Sequence, residues 1–596
     1  MAMITLTGGR SFKLLLLHAF LLTMLSAHMS PALGFISGVG VGDANNIRCI
    51  EGERQALLEF KKGLVDDYGR LSSWQSGDEN KNCCNWEGVR CSNLTGHVLE
   101  LHLSNDGIKP FGGPRFPNWI LTQRNVSFLE ISNTNISDTI PAEWLADLPP
   151  TLKRLNLSNN HIYGRLPNVS TKRLNELAID LSANSLEGPV PHLPTNLTIL
   201  NLSKNQFSGS ISSLCKINGQ LLAYLDLSNN RLSGRLPNCF MQWPKLLILN
   251  LAGNHFFGEV PSSLGSLSVL ETLSLNNNNF SGNLPSSLRN CSSLIVMDMR
   301  NNRFSGNVPA WIGESLPSLI FLSLRSNMFT GSIPLHLCWL KYLQILDLSI
   351  NDISGTIPQC LNNFTAMAQK GNSFFNFGRW IPYSYENDGS SYVQFYFDSV
   401  MVELKRNEYE YHGRNLGLLK IINLSSNKLI GKLPSEISSL LDLFALNVSR
   451  NKLIGEIPQM IGQLKQLESL DMSWNQFCGK IPSSMSELNF LGFLDLSYNN
   501  LSGKIPSSTQ IRGFNASYFI GNRALCGPPL TQKCPGEETP NRNEATAKDN
   551  EENGDELVKW FYVGTGFGFA LGFWGVCGSL VLKRSWRHAY FLLLDN

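Results

Sequence analysis

The feature that most constrains this chain is a repeat of about 24 residues that runs through most of its 596 positions. The units 249–261, 273–285 and 494–506 share the pattern L-x-L-x-x-N-x-L/F-x-G-x-I/L/V-P. The alternating Leu-x-Leu points two side chains inward from a short strand, while the intervening residues face outward on the concave side. No single unit can bury its apolar face, so neighbouring units must stack around one continuous apolar column. The sequence therefore predicts a solenoid.

One asparagine recurs in each unit and has a physical task there. Its side-chain amide can hydrogen-bond to backbone groups that the turn would otherwise bury without partners. Counting the Leu-x-Leu pairs from Leu101 to Leu494 gives about fifteen coils. We expect these asparagines to form a ladder: Asn160, Asn184, Asn205, Asn230, Asn254, Asn278, Asn302, Asn327, Asn351, Asn427, Asn451, Asn475 and Asn499.

The N-terminal segment has the pattern of a secretory signal peptide. Arg10 and Lys13 precede an apolar run at 14–25, and small residues follow it. A first membrane anchor is the alternative, but this run is shorter than the roughly 20 residues that a spanning helix needs. We therefore expect 1–30 to be a signal peptide.

A second apolar stretch, 560–582, contains no charged residue and follows an acidic juxtamembrane segment at 537–559. Lys583, Arg584 and Arg587 come directly after it. Because positive residues stay on the cytoplasmic side, the pattern predicts a single-pass type I protein of the plasma membrane with its N-terminus outside. The tail 583–596 is too short to form an enzyme.

Three glycines lie four residues apart inside the predicted membrane helix: Gly564, Gly568 and Gly572. That spacing places them on one face, where the backbone of another helix can approach closely. The alternative is that glycine is simply common in membrane helices. The spacing predicts a partner in the membrane.

Composition argues against two other classes of protein. Charged residues make up 16% of the chain and the formal net charge is +2, so no basic surface for nucleic acid is indicated. The few histidines are scattered, and the repeat positions are explained by folding, so we expect no catalytic residue, no cofactor and no enzyme activity. The lipid bilayer is the expected non-protein partner.

The form L-S-x-N-x-L-S-G-x-I-P, seen at 496–506, resembles the plant-specific class of leucine-rich repeat. The resemblance implies an α/β-type repeat solenoid, a leucine-rich-repeat superhelix over 96–360 and 418–510. The string C-C-N-W-E-G-V-R-C at 83–91 resembles the plant N-terminal cap, here 31–95, and 511–536 looks like the closing cap. By this resemblance the cap disulfides are Cys49–Cys83, Cys84–Cys91 and Cys526–Cys534.

Two further cysteine pairs follow from spacing in an exported chain. Cys215 and Cys239, and likewise Cys338 and Cys360, lie almost one coil apart, so stacking would bring each pair together. A zinc site is the competing interpretation, which these spacings disfavour. The cysteines left over are Cys291, Cys478 and Cys577.

N-x-S/T sequons also fit an exported surface. Some arise because N-L-S belongs to the repeat itself, and sugar on the predicted concave strands would block a ligand. The glycosylation candidates are Asn93, Asn125, Asn279, Asn363 and Asn515.

One break in the period is informative, because the Leu-x-Leu at Leu346 is followed by the next only at Ile422. This predicts an island insertion at 361–417, rich in aromatic residues. Tyr and Trp supply binding area at low entropic cost, so the island is a natural recognition element; the alternative is that it packs its own aromatics on the solenoid. The candidates for ligand or co-receptor contact are Trp380, Tyr383, Tyr385, Lys405, Arg406, Tyr409 and Tyr411.

Outward-facing strand residues are the default contact candidates in a solenoid of this kind. Arg300 and Arg325 stand at matching positions of successive coils, where an acidic ligand could bridge them. Trp474 and Tyr498 form the corresponding aromatic pair on successive strands near the end of the array.

Taken together, these parts resemble plant receptor-like proteins, especially the group related to the receptors for fungal ethylene-inducing xylanase. The strings at 113–119, 131–134, 408–411 and 425–429 carry the closer likeness. The resemblance implies binding of an extracellular microbial protein or peptide and signalling in plant defense. It also implies an adaptor receptor-like kinase at the glycine face and acidic segment, and a somatic-embryogenesis-type co-receptor kinase at the island and the final four repeats.

The chain departs from that group in having fewer repeats, with a seam near 104–117. Asp106 and Thr134 replace the ladder asparagine on either side of it. A developmental peptide co-receptor and a truncated decoy that competes for shared adaptors therefore remain alternatives. An inhibitor of microbial wall-degrading enzymes uses the same fold but needs no membrane helix.

Overall fold

The computed structural model describes residues 48–66, 69–77, 82–103, 108–110, 115–169, 176–217, 219–369, 378–385, 391–397 and 399–535. The predicted signal peptide, juxtamembrane segment, membrane helix, tail and Cys577 lie outside these residues, as do Gly564, Gly568 and Gly572. No helix within the described ranges is both long enough and apolar enough to span a bilayer.

A 16-stranded sheet, here the main sheet, runs through the whole repeat array. Its first strand is antiparallel to the second, which leaves fifteen parallel strands, one for each coil, in agreement with the sequence count. In order, the strands are Val89–Cys91, Val98–His102, Phe128–Glu130, Arg154–Asn156, Leu177–Asp180, Leu197–Asn201, Tyr224–Asp226, Ile248–Asn250, Thr272–Ser274, Val296–Asp298, Phe321–Ser323, Ile345–Asp347, Ile421–Asn423, Ala445–Asn447, Ser469–Asp471 and Phe493–Asp495.

In most coils, a strand of a second parallel layer follows the turn. Eight strands form one part of it, and they are Tyr163–Arg165, Ser185–Gly188, Gln206–Gly209, Arg231–Gly234, His255–Gly258, Asn279–Gly282, Arg303–Asn307 and Met328–Thr330. Five form the other part, and they are Ile430–Lys432, Lys452–Glu456, Gln476–Lys480, Asn500–Lys504 and Ala524–Cys526. Phenylalanines from neighbouring coils stack beneath this layer, with ring centroids 6.1 Å apart for Phe256 and Phe280 and again for Phe280 and Phe304.

Short helices complete the coils. The α-helices are Glu51–Lys62, Ala142–Ala146, Trp311–Ser315, Thr365–Ala368, Gly413–Leu416 and Thr509–Arg512. The 3₁₀ helices are Arg70–Ser73, Cys83–Asn85, Asn118–Thr122, Ser212–Lys216, Phe240–Gln242, Ser262–Ser266, Ser286–Asn290, Leu335–Trp339, Gln359–Asn363, Ser435–Ser439, Ile461–Gln463, Ser483–Glu487 and Ala516–Tyr518. Leucines at 0% exposure, among them Leu264 and Leu288, point from these helices into the apolar column.

The asparagine ladder is present, and one residue shows its geometry. The Nδ2 atom of Asn230 donates to Leu202 O in the preceding coil at 2.9 Å, and its Oδ1 atom accepts from Phe207 N at 3.0 Å. The ladder extends one step further than predicted, because Asn522 donates to Leu496 O at 2.9 Å. Each amide thus satisfies backbone groups of two coils, which ties each coil that carries the asparagine to its neighbour.

All five predicted disulfides are present: Cys49–Cys83, Cys84–Cys91, Cys215–Cys239, Cys338–Cys360 and Cys526–Cys534. In the N-terminal cap, Trp74 stacks on Trp86 with ring centroids 5.4 Å apart and helix Glu51–Lys62 buries Leu57 and Phe60. These side chains belong to the same continuous core as the repeats, so the cap covers the end of the apolar column.

The seam and the island insertion interrupt the regular coils, but the main sheet continues across both. Across the seam, Leu101 pairs in parallel register with Leu129. Across the island, Leu346 pairs with Ile422. Helix Thr365–Ala368 still belongs to a coil, because Ala366 N donates to Lys341 O at 2.9 Å. The insertion therefore begins later than position 361, which the sequence had suggested.

Candidate functional site

The island contributes two antiparallel hairpins. The first island hairpin pairs Gly378–Tyr385 with Ser391–Phe397, and the second island hairpin pairs Ser399–Leu404 with Asn407–His412. The second hairpin buries every other residue of its first strand, Val400, Val402 and Leu404. These side chains pack on outward-facing residues of the main sheet, namely Val296, Phe321, Ile345, Ile421 and Ala445. The island thus lies against the sheet face that the sequence proposed as the open binding surface.

Arg300 and Arg325 lie beneath the second hairpin. Arg300 donates to the carbonyl of Met401 and forms an ion pair with Asp298 at 3.2 Å. Arg325 forms an ion pair with Glu403 and donates to Ser349 Oγ at 2.8 Å. This corrects the expectation that both guanidinium groups are open to an acidic ligand, because the island already occupies that position. Sequence periodicity located the arginines but not the partner of Arg325, which lies 78 residues away along the chain.

The turn of the second hairpin carries Lys405 and Arg406, both in the left-handed region with φ of 51° and 66°. Arg406 forms ion pairs with Asp471 at 3.0 Å and with Asp495, two side chains that are each 4% exposed. Lys405 makes a more exposed pair with Glu468 at 3.3 Å. The turn is therefore fixed to the final coils.

The first island hairpin contacts the main sheet through an apolar side chain and an aromatic ring. Ile381 is buried against Ala178, Ile199 and Ile248 of the main sheet, and the ring of Tyr396 meets that of Tyr224 edge-on at a centroid distance of 5.3 Å. Of this hairpin's side chains, those of Ile381 and Tyr396 belong to the described part of the chain.

The predicted aromatic candidates of the island are distributed over both hairpins. Trp380, Tyr383 and Tyr385 belong to strand Gly378–Tyr385, but their side chains lie outside the described part of the chain. Tyr409 is exposed, whereas Tyr411 is partly buried against the second hairpin's apolar cluster. Burial raises the pKa of Tyr411, with smaller contributions from Tyr409 and Glu468.

Trp474 and Tyr498 form an exposed stack with ring centroids 4.0 Å apart, and Arg450 lies 5.5 Å from the Trp474 ring. They lie in the turn just after the main strands rather than on the strands, with φ of 56° and 54°. Other coils place Asn159, Asn229, Asn277 or Asn301 at this left-handed position. Bulky residues are uncommon there because their Cβ crowds the backbone.

Sequence reasoning missed a charged cluster on the first coils. His102 hydrogen-bonds to Glu100 at 3.1 Å and to Glu130 at 2.9 Å. The hydrogen bonds to Glu100 and Glu130 raise the pKa of His102 to about 9. The alternation of charge in V-L-E-L-H at 98–102 is the only sequence signal for it.

The remaining predicted positions are placed as follows. Asn93, Asn125, Asn279, Asn363 and Asn515 are all exposed, whereas the strand sequon at Asn423 is buried.

Among the cysteines left over, Cys291 is buried, which raises its pKa to about 12, and Cys478 is half-buried. Cys49, Cys83 and Cys84 lie close enough together to suggest a metal site, but all three are in disulfides.

Two family models match the chain. The leucine rich repeat N-terminal domain matches 50–92. The leucine rich repeat matches 151–172, 196–217, 221–243, 245–267, 269–291, 342–364, 418–440, 466–488 and 490–510. Both agree with the capped solenoid described above, which defines a leucine-rich-repeat protein.

Two receptor-like proteins of tomato, Solanum lycopersicum, are similar to most of this chain. Receptor-like protein EIX2 is 50% identical over 516 residues, which cover 84% of this chain and 50% of that protein. Receptor-like protein EIX1 is 48% identical over 491 residues, which cover 81% of this chain and 47% of that protein. The chain is similar to these plant receptor-like proteins over most of its own length, and it spans about half the length of these curated relatives.

Solved structures share the fold. The ectodomain of the membrane receptor kinase GASSHO1/SCHENGEN3 from Arabidopsis thaliana, in complex with CASPARIAN STRIP INTEGRITY FACTOR 2, is 28% identical with a TM-score of 0.52. The match covers 71% of this chain and 47% of that one. A TDR receptor is 23% identical with a TM-score of 0.50, over 74% of this chain and 79% of that one, and supports the fold alone.

Proposed function

We propose that this chain is a cell-surface pattern-recognition receptor that binds an extracellular microbial protein or peptide and signals in plant defense through partner receptor kinases. The observation that carries the proposal is the position of the island. It lies across the main sheet from Ala178 to Asp495, and so touches both the middle coils and the final ones. A ligand that contacts the island is thereby coupled to the end of the array.

In this proposal the island binds the ligand and the final repeats meet a somatic-embryogenesis-type co-receptor kinase. The stack of Trp474 on Tyr498 supports the second part, since each left-handed aromatic costs roughly 1–2 kcal/mol relative to a relaxed backbone. Stacking of the two rings contributes only about 0.5–1.5 kcal/mol of stabilisation for the pair. The fold does not need aromatics where other coils have asparagine, so their exposure suits a protein contact.

The membrane part of the proposal rests on the sequence. An adaptor receptor-like kinase would bind the face of Gly564, Gly568 and Gly572, and the protein would lie in the plasma membrane as a single-pass type I chain. Changing the three glycines to leucine should weaken recovery of the adaptor, while the solenoid remains folded. Unchanged recovery would remove this contact from the proposal.

The test is co-immunoprecipitation of the tagged full-length protein from plant membranes, with and without a crude fungal elicitor, followed by mass spectrometry. We expect one receptor kinase with and without elicitor and a second kinase only with it. The variant Trp474→Asn with Tyr498→Asn should lose the second kinase only. Tyr163→Asn, which alters an exposed aromatic of the second layer, serves as the matched control. Recovery of no kinase would overturn the proposal.

A regulatory role is the second candidate, and one observation favours it. The chain spans about half the length of the tomato receptor-like proteins it matches, and Thr134 replaces the ladder asparagine beside the seam. It would then be a decoy that competes for shared adaptors, or a developmental peptide co-receptor. Recovery of the adaptor alone, with every elicitor preparation, would favour this candidate.

A further inference from the structure

Exposed apolar side chains cluster on the helical side of the coils that precede the island. Leu335 and Trp339, at the two ends of helix Leu335–Trp339, are 65% and 57% exposed. Both line one cavity of about 750 Å³. Single apolar residues on a surface need no explanation, but a cluster around a cavity marks a site of contact. Some group is therefore expected to cover these two side chains.

The cavity lies where the second layer of strands changes from its eight-stranded to its five-stranded part. The first part ends at Met328–Thr330 and the second begins at Ile430–Lys432. The coil between them is joined to the second part by an isolated bridge, Thr356 with Ile430. Thr356 and Lys432 both line the cavity. The cavity therefore results from the interruption of the second layer.

Two helices of successive coils form a wall of this cavity and run in step. Helix Leu335–Trp339 follows Pro334, and helix Gln359–Asn363 follows Pro358. The disulfide Cys338–Cys360 joins the two helices, and both of its cysteines line the cavity. Each helix has five residues, so Trp339 and Asn363 occupy the same position, the last, on neighbouring coils. Asn363 is thus the counterpart of the exposed tryptophan ring in the next coil.

Asn363 is also the first residue of an N-x-T sequon at 363–365. It is exposed and lines the cavity. The residue after it, Phe364, is 0% exposed in the apolar column, and Thr365 Oγ1 donates to Asn363 O at 3.3 Å. Because its neighbours are fixed in the coil, a sugar on the Asn363 amide nitrogen would start at the edge of the cavity.

We propose that Asn363 carries an N-linked glycan whose first N-acetylglucosamine residues lie on the ring of Trp339 and fill this cavity. The C–H groups on one face of a sugar ring suit the electron-rich face of an indole. The acetamido methyl group suits Leu335, while Gln359 and Lys432 in the lining offer polar groups to the sugar hydroxyls. Attachment to Asn363 raises the effective concentration of the sugar, so even a weak contact is occupied.

The glycan closes this side of the array to partner proteins. The exposed residues Leu335 and Trp339 then do not form a protein-binding surface, although exposed apolar clusters often do. The other possible occupant, an apolar side chain of a partner, requires the two residues to be free of sugar. The inference goes beyond the proposed receptor function and requires only that the chain is exported.

A second sequon at the same helix position provides a matched control. Asn290 begins the N-x-S sequon at 290–292, is exposed, and is the last residue of helix Ser286–Asn290. The helices of the preceding and following coils end in Ser266 and Ser315. Serines rather than an aromatic ring therefore stand at the neighbouring positions.

The test is hydroxyl-radical oxidation of the tagged full-length protein, expressed in plant cells and purified in detergent. Mass spectrometry of its peptides reports both the glycan at Asn363 and the oxidation of each tryptophan. Oxidation of Trp339 should rise at least about threefold in Asn363→Gln, because the ring loses a tethered cover. It should stay unchanged in Asn290→Gln. Trp474, an exposed ring in another coil, is the internal reference and should be oxidised equally in all samples.

Removal of the glycan from the folded, unmodified chain by a peptide-N-glycosidase should give the same rise at Trp339. This comparison involves no substitution, so it decides the question even if Asn363→Gln fails to fold, which a changed oxidation of Trp474 would reveal. An Asn363 without sugar, or a Trp339 oxidised equally with and without the glycan, would overturn the inference. Kinase recruitment is not measured here, so failure of the proposed receptor function leaves this result intact.

Discussion

The two island hairpins lie on the same sheet, but their described contacts with it differ in kind. The first hairpin is seated by apolar and aromatic contacts of Ile381 and Tyr396. The second adds to its apolar strand a set of ion pairs made by Arg300, Arg325 and Arg406. A cavity above Asp226 lies between them.

This difference indicates which part of the island can move. A buried ion pair is strongly disfavoured once one partner leaves, because the other charge remains without compensation. Apolar contacts can separate and re-form at a free-energy cost that scales with the apolar area exposed to water. We therefore expect the first hairpin to open more readily than the second.

The largest expected effect comes from Arg406→Ala. Removing the guanidinium leaves Asp471 and Asp495 buried without a cation, at a cost of about 3 kcal/mol in the free energy of opening of the second hairpin. Hydrogen exchange of the backbone amides of Ser399–Leu404, measured by mass spectrometry on the full chain, should accelerate accordingly. Exchange of strand Gly378–Tyr385 should change little. An equal acceleration of both hairpins would mean that they do not differ as described.

Ile381→Ala should produce the reverse pattern. This residue is 1% exposed in the apolar seat of the first hairpin, and truncation of a buried isoleucine costs about 2 kcal/mol or more. Exchange should therefore accelerate in Gly378–Tyr385 and remain slow in Ser399–Leu404. Added salt should not change the effect, since no charge is involved; a salt-dependent effect would contradict the apolar seat.

A smaller effect is expected from pH beneath the second hairpin. Burial raises the pKa of Asp347 from 3.8 to about 6, against the opposing charge of Arg325. The folded chain therefore keeps this proton up to about pH 6, whereas the unfolded chain releases it near 3.8. The stabilising contribution of the proton is full below 3.8 and is lost as the pH rises through about 6.

Asp347→Asn removes that group and keeps its shape. The difference in stability between pH 5 and pH 7 should become smaller by an amount on the order of 1 kcal/mol, measured by denaturant unfolding of the full chain followed by tyrosine and tryptophan fluorescence. The same pH difference in Asp347→Asn and in the unmodified chain would show that Asp347 does not titrate in this range.

The smallest effect is expected from Lys405→Ala, the residue adjacent to Arg406. Its pair with Glu468 is about one-third exposed on both sides, so its loss should cost less than about 1 kcal/mol. Exchange of Ser399–Leu404 should be nearly unchanged. A loss of stability as large as that of Arg406→Ala would contradict this account. It would show that the positive charge of the turn, and not its contact with the buried aspartates, stabilises the turn.

Much of the fold could be predicted from the sequence because its contacts are local and periodic. The Leu-x-Leu pairs, the ladder and the coil-to-coil disulfide Cys215–Cys239 depend on a fixed spacing, which the chain displays directly. The placement of the island could not be predicted in this way, since Arg325 and Glu403 share no period and meet only in three dimensions. For the same reason the sequence could not predict the cavity over Asp226, because residues of both the coils and the island line it.

Charge exchange between Arg325 and Glu403 tests most directly whether the island lies across the main sheet. Arg325→Glu and Glu403→Arg each place like charges together and should accelerate hydrogen exchange in Ser399–Leu404. The double variant restores an opposite pair at the same position, so exchange should return most of the way to that of the unmodified chain. A double variant that exchanges as fast as the faster single variant would contradict the contact, and with it the island's position on the sheet.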